Sequence, residues 1–522
     1  MRRSGGLVLN RALLVTLSLL QLSRAGPAVD SGVSNYSFPN DFIFGVSTAA
    51  FQIEGGWNEG GRGESIWDTY LHEHPNFTSD HKNGDVADDS YHLWREDIEL
   101  IKSLGVSGYR MSISWPRLLP NGTDNNINEE GVRYYRNIFE ELLKANITPL
   151  VTLFHWDMPT PLMDLGGWNN PKLVDFFEDY ARVVFRLFGH LVKMWLTINE
   201  VHWNCVSSYG LDQMAPALNS HGIGVYLCFH NSLLAHARVY RLYVKEFKPH
   251  QQGKVSIVLD ASWAKPKNSN KPEDVKAAEE YLQMHVGLLA HPIYSDVGDY
   301  PSFVRERIDN MSRQQGYSRS RLPHFTPEEV KAIQGSADFF GLNHYSTLVV
   351  TPSLMEPDWK VPSLFHDTGV KMEYMAEQTA YPQGFRKLLN WLRNTYTLLK
   401  KIPIIITENG YIDDGKNIED YERISYYNKY LNQLLLAIHE DGVNVAGYFC
   451  WSLMDDFEWT AGYTIQYGLF KVDYDSPNRT RTPKLSAKNY ANIVRTRRVD
   501  FDYIKPPSVH NTVSSLSSLY TT

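Results

Sequence analysis

The chain has 522 residues, 43% of them hydrophobic and 21% charged, the make-up of a globular protein with a full core. That length fits one large domain or two to three average ones. A formal charge of −8 with no basic run argues against nucleic acid or an anionic membrane surface as partner.

At the N-terminus, Arg2, Arg3 and Arg11 precede an apolar run over residues 12–22, and Ser23 and Ala25 suit cleavage after Ala25. This is the pattern of a secretory signal peptide over residues 1–25. The run is shorter than the about 20 apolar residues a membrane helix needs, so no membrane anchor is expected. Cleavage would leave the chain at −12, because the segment holds four arginines and no acid. A secreted or lumenal location is also consistent with Asn-x-Ser/Thr triplets at Asn35, Asn76, Asn121, Asn310 and Asn478, the expected glycosylation sites. A sixth triplet at Asn146 is set apart because it abuts a predicted strand.

Beyond the leader, short apolar runs rich in β-branched and aromatic residues alternate with amphipathic stretches. A strand over 42–48 runs out towards Gln52 and Glu54. A helix over 91–104 follows, then a strand over 108–115 that carries Arg110. The helix at 134–145 leads to a strand over 149–156, which ends in His155, Trp156 and Asp157. After a helix at 172–187, the strand over 194–199 ends in Asn199 and Glu200. The helix at 224–246 precedes strands over 255–261 and 339–345, the second carrying Asn343 and Tyr345. A helix at 384–399 leads to the strand over 403–407, which Glu408 and Asn409 follow. The last unit is a helix at 426–439 and a strand over 445–451 that ends in Trp451. Residues 501–522 form a Ser- and Pro-containing tail expected to be disordered.

Strands alternating with helices predict a parallel sheet covered on both faces. Eight such units over residues 36–500 predict a single-domain (β/α)8 TIM barrel with long loops, since the minimal barrel needs about 250 residues. A doubly wound open sheet is disfavoured, because no Gly-rich phosphate turn follows the first strand. Cys205, Cys228 and Cys450 are too few and too widely spaced for a disulfide framework or a metal site. Buried thiols and a Cys205–Cys228 bridge both remain open, and no cofactor or metal is expected.

In such a barrel the chemistry lies at the C-terminal strand ends. Glu200 and Glu408 each follow an apolar strand, the fourth and the seventh of the eight, and so lie three strands apart. Retaining glycoside hydrolysis needs two carboxyl groups about 5–5.5 Å apart, one ionised and one protonated. The competing reading is two buried glutamates in unrelated ion pairs. The Asn, Trp and Tyr residues at neighbouring strand ends weigh against it.

At these residues the sequence resembles glycoside hydrolase family 1. The acid/base motif Thr-x-Asn-Glu-Pro stands here as Thr197-Ile198-Asn199-Glu200-Val201, and the nucleophile motif as Ile406-Thr407-Glu408-Asn409-Gly410. Phe44-Gly45-Val46-Ser47-Thr48 through Gly55, Tyr109-Arg110-Met111-Ser112, Phe154-His155-Trp156-Asp157 and Trp451-Ser452 through Glu458-Trp459 match in order. The likeness spans residues 36–500. Stretches such as Ala290-His291-Pro292-Ile293-Tyr294 resemble the animal, insect-type branch.

The resemblance implies a retaining β-glycosidase acting on a small-molecule β-glucoside. Glu408 would be the nucleophile and Glu200 the acid/base, with Arg110, Asn343 and Tyr345 in support. Gln52, His155, Asn199 and Glu458 would hold sugar hydroxyls, Trp451 would stack under the ring, and Trp459 would reach a hydroxyl through its indole N–H. The Glu458-Trp459 pair is that of enzymes for non-phosphorylated sugars. Val201, His344 and Tyr467 depart from the family pattern and bear on pocket shape. A thioglucosidase (myrosinase) acting on glucosinolates is the alternative activity, and a klotho-like non-catalytic sugar-binding protein is the alternative class. Family members of that second kind have lost one of the two carboxylates.

Overall fold

The computed structural model describes residues 33–353, 361–375 and 381–506. The signal segment 1–25 and most of the 501–522 tail lie outside the described residues.

Nine parallel strands make one sheet: β1 (Ile43–Ser47), β2 (Gly108–Ser112), β3 (Thr148–Phe154), β4 (Met194–Ile198), β5 (Lys254–Ser256), β6 (Val258–Asp260), β8 (Phe340–Asn343), β11 (Ile404–Glu408) and β12 (Val445–Trp451). Between them in the chain lie β7 (Trp263–Pro266), β9 (Thr347–Pro352) and β10 (Val370–Tyr374); β13 (Phe470–Val472) and β14 (Arg481–Pro483) follow the last. The nine run in the order β5-β4-β3-β2-β1-β12-β11-β8-β6. The two ends of that order, β5 and β6, are one predicted strand interrupted at Ile257. β5 pairs with β4 and β6 with β8, so the ring closes through this split stave. The result is the predicted eight-stave (β/α)8 barrel.

Its packing follows from strand periodicity, which sends alternate residues to opposite faces. Leu150, Leu196, Val258, Phe339, Ile405 and Phe449 form a cluster of their own that fills the barrel interior. Phe449 needs room there, which Gly45 and Gly108 supply: a Cβ on Gly108 would lie 2.9 Å from its ring, and one on Gly45 would overlap it. Two positions beyond Gly108 on the same inner face stands Arg110. The intervening Tyr109 belongs to the second, much larger cluster, between the strands and their helices.

Helices fall where amphipathic periodicity puts them, with shifted starts. The helix predicted from 134 begins at Glu129, because the Asn128 side chain accepts from the Glu130 N–H and caps a polar first turn that has no apolar signal. The strand predicted over 108–115 stops at Ser112, and Trp115 opens a short helix. A three-stranded sheet in the order β10-β9-β7, built from the segments after β6 and β8, was not expected. Cys205 and Cys228 form a disulfide with their Cα atoms 5.6 Å apart, which decides between the two readings. Cys450 is a buried thiol beside the Tyr427 hydroxyl, and burial pushes its pKa up to about 12. No helix among the described residues is long and apolar enough to cross a membrane.

Candidate active site

The inner-face residues change character towards the C-terminal end of the barrel. Along β11, Ile405 belongs to the apolar plug, Thr407 donates to Asn343 Oδ1 at 2.6 Å, and Glu408 ends the strand. Glu200 follows β4 with a left-handed backbone, φ 45°. Trp156 and Trp459 are also left-handed, at 74° and 49°. Non-glycine residues hold this conformation at a cost of about 1–3 kcal/mol each, and such strain gathers where side chains must be aimed.

The two carboxyl groups sit in unlike surroundings. Glu408 Oε1 is ion-paired with the Arg110 guanidinium, and Glu408 Oε2 accepts from the Tyr345 hydroxyl at 2.6 Å. Burial and the Glu408 and Glu200 charges push the Tyr345 pKa well up, which keeps it a neutral donor. Glu200 accepts one bond, from Asn343 Nδ2 at 2.7 Å. Burial raises its pKa well above the carboxylate range, and the charges of Glu408 and Asp260 raise it further.

A hydrogen-bond chain links the pair. Arg110 donates to Asn199 Oδ1 at 2.6 Å, Asn343 Nδ2 donates to the same oxygen at 3.2 Å, and Asn343 also holds Glu200. Asn199 Nδ2 donates to His155 Nε2 at 3.0 Å, leaving one amide hydrogen over. Burial and the nearby Arg110 charge hold the His155 pKa well below its usual value, so the ring is neutral. With Nε2 accepting, its proton is on Nδ1, which is buried and has no partner among the described residues.

Gln52 Nε2 lies 3.1 Å from each of Asp456 Oδ1, Phe457 O and Glu458 Oε2. Its Oε1 is buried and unpartnered among the described residues. Burial lifts Glu458 to about 7; Asp456 opposes that rise through a hydrogen bond, and the Glu408 charge adds to it. Asp456 itself is pushed well up by burial and by the Glu458 charge. Trp451 and His155 stack with centroids 5.9 Å apart, and Trp459 packs on Phe51 at 6.0 Å and Trp156 at 4.7 Å.

All eleven predicted catalytic, binding and supporting side chains therefore gather at one barrel end. Other strand-end residues do not join them. Glu54 is held by Arg117 at 2.7 Å and the Tyr135 hydroxyl at 2.6 Å, and Trp115 stacks on Tyr180 at 4.5 Å in the outer layer. Of the departures, His344 stacks on Phe385 at 4.8 Å and bonds Ala261 O, whereas Tyr467 meets the Tyr345 ring edge-on at 5.7 Å. Sequence reasoning gave no role to Asp456, although it lies inside a quoted motif. It also passed over Asp260 and His202, which carry no local signal.

A buried carboxyl kept neutral beside an anion held by Arg and Tyr can protonate one atom of a substrate while the anion attacks another. Comparison with known proteins identifies the family. The family model for glycosyl hydrolase family 1 matches residues 34–499. Myrosinase 1 of Brevicoryne brassicae is 46% identical, covering 88% of this chain and 99% of its own length. The solved aphid myrosinase superposes with a TM-score of 0.84 at 44% identity, over 89% of this chain and all of that one. A rice β-glucosidase mutant, solved in a covalent complex with Glc, gives a TM-score of 0.81 at 35% identity, over 88% and 99%. The chain thus belongs to glycosyl hydrolase family 1, as an O-glycosyl hydrolase of the β-glucosidase-like kind.

Proposed function

We propose that this protein hydrolyses terminal β-D-glucosides with retention of configuration, Glu408 serving as nucleophile and Glu200 as acid/base. The observation that carries the reading is the inequality of the two linked carboxyl groups: one ion-paired to Arg110, the other raised in pKa and, among the described residues, bonded only to Asn343. Glu408 attacks the anomeric carbon while Glu200 gives its proton to the departing oxygen. The ester so formed has lost the Glu408 charge, so the Glu200 pKa falls when it must take a proton from the incoming water.

The groups left without partners then meet the sugar. His155 Nδ1–H and the spare Asn199 amide hydrogen are donors, and Gln52 Oε1 is an acceptor. Glu458, bonded to Gln52, grips a hydroxyl pair, Trp451 supports the apolar ring face, and Trp459 offers its indole N–H. The covalent glucose complex of the rice relative supports this reading. Proton NMR of the first-formed sugar tests it: β-glucose is expected, and initial α-glucose would overturn the mechanism.

The similarity to aphid myrosinase favours a second reading on the same residues, in which the leaving atom is sulfur. Assays of a glucosinolate beside an aryl β-glucoside separate the two. The reading of a secreted glycoprotein rests on residues 1–25 and on the sequons. Asn35, Asn76, Asn121, Asn310 and Asn478 are all exposed. Asn146 is exposed as well, in a left-handed turn before β3, so its neighbouring strand does not shield it.

A further inference from the structure

Beside Glu200, on the same barrel end, lies a group of side chains that the proposed mechanism does not use. His202 stands two residues past Glu200, Asp260 ends β6, and His285 comes from a helical segment at Gln283–Gly287. One donor atom from each lies within 4.8 Å of the other two. His285 Nε2 is 3.0 Å from Asp260 Oδ2, and His202 Nδ1 is 3.8 Å from the same oxygen.

The second distance is too long for a hydrogen bond. His202 Nδ1 is a buried ring nitrogen with no hydrogen-bond partner among the described residues. Two ligands about 2.1 Å from a tetrahedral ion are about 3.4 Å apart, and 3.0 and 3.8 Å fall on either side of that spacing. The outer contacts also suit a metal. Tyr281 OH lies 3.0 Å from His285 Nδ1, leaving Nε2 to face Asp260. The Trp203 N–H is 3.4 Å from Asp260 Oδ1, leaving Oδ2 for the site. Such outer partners orient metal-binding imidazoles and carboxylates. The His202 ring is fixed by stacking on Phe229, 5.5 Å away with 14° between planes. The three side chains are 11–15% exposed, so the group lies just beneath the surface.

We propose that His202, Asp260 and His285 form a binding site for one divalent transition-metal ion of the zinc type, with a fourth position open to solvent. Two imidazoles and one carboxylate suit borderline ions better than magnesium or calcium, which prefer all-oxygen sites. The proposal does not depend on the glycosidase reading, because binding is measured without turnover.

Equilibrium dialysis of the full-length protein against zinc in a non-chelating buffer should give one ion per chain. Cobalt should bind in its place with the intense visible absorption of four-coordinate geometry. His285→Gln and Asp260→Asn should each weaken zinc binding by more than tenfold, with circular dichroism reporting that the variants fold. Tyr281→Phe keeps all three ligands and removes an outer contact, so it should weaken binding by about 10–100-fold; it carries the test should a ligand variant misfold. Absence of a stoichiometric zinc ion in the unaltered protein overturns the proposal. So does zinc affinity that stays unchanged in the folded variants, which would place the ion elsewhere.

Discussion

At Glu408 both carboxylate oxygens are taken up, one by Arg110 and one by Tyr345, whereas Glu200 has, among the described residues, a single bond from Asn343. In the proposed mechanism Glu200 must be protonated. Its raised pKa therefore sets the alkaline limb, and activity falls as pH rises through that value. Glu408→Gln removes a charge that raises it, so the Glu200 pKa should drop, readable by carbon NMR with labelled glutamate. An unchanged value would mean that the two groups are not coupled. The same substitution should abolish turnover. Glu200→Gln should cost about 10²–10⁴-fold on poor leaving groups and much less on acidic aryl ones. Equal losses on both substrates would reverse the assignment. Tyr345→Phe removes a hydrogen bond to a charged acceptor, worth about 1.5–3 kcal/mol, so kcat should fall about 10–150-fold. A loss confined to KM would place Tyr345 in binding and not in nucleophile support.

At the scale of strands, the floor of the barrel is packed by three neighbouring staves, β2, β1 and β12. Gly45 on β1 and Gly108 on β2 leave space that the Phe449 ring occupies. Gly45→Ala should destabilise the protein by about 1–3 kcal/mol through overpacking, measured by urea unfolding. Phe449→Leu in the same chain should recover part of that loss. If Gly45→Ala alone leaves stability unchanged, the ring is not confined as described. The fifth stave matters in another way: the break at Ile257 makes β5 and β6 separate pieces, and β6 delivers Asp260 to the rim near Glu200.

For the whole molecule, the leader and the exposed sequons make a joint prediction. Expressed in a eukaryotic host, the secreted chain should begin near Gly26 and carry N-glycans at several of Asn35, Asn76, Asn121, Asn146, Asn310 and Asn478. Peptide mapping checks this; an intact Met1 or a glycan-free product would remove the case for secretion.

Each of the eight staves could be located from the chain alone, because a strand buried on both faces is a short apolar run whose ends are marked by polar residues. The motifs around Glu200 and Glu408 were equally legible, since strand and adjoining turn place those residues locally. Local patterns did not show that the fifth run is two strands, nor that β7, β9 and β10 form a sheet across widely separated loops. The same limit applies to partners. From spacing alone, Glu54 looked as much a strand-end residue as Gln52, yet Arg117 and Tyr135 claim it, while Gln52 keeps a free oxygen. The bond chain from Arg110 through Asn199 and Asn343 to Glu200, and the meeting of His202, Asp260 and His285, depend on which staves become neighbours when the barrel closes. The sequence by itself determined the staves, the helices between them and the residues at their ends, because periodicity and turn chemistry act over a few residues. Only the tertiary structure decided which of those end residues share protons, charge and space, because such contacts join segments tens to more than a hundred residues apart.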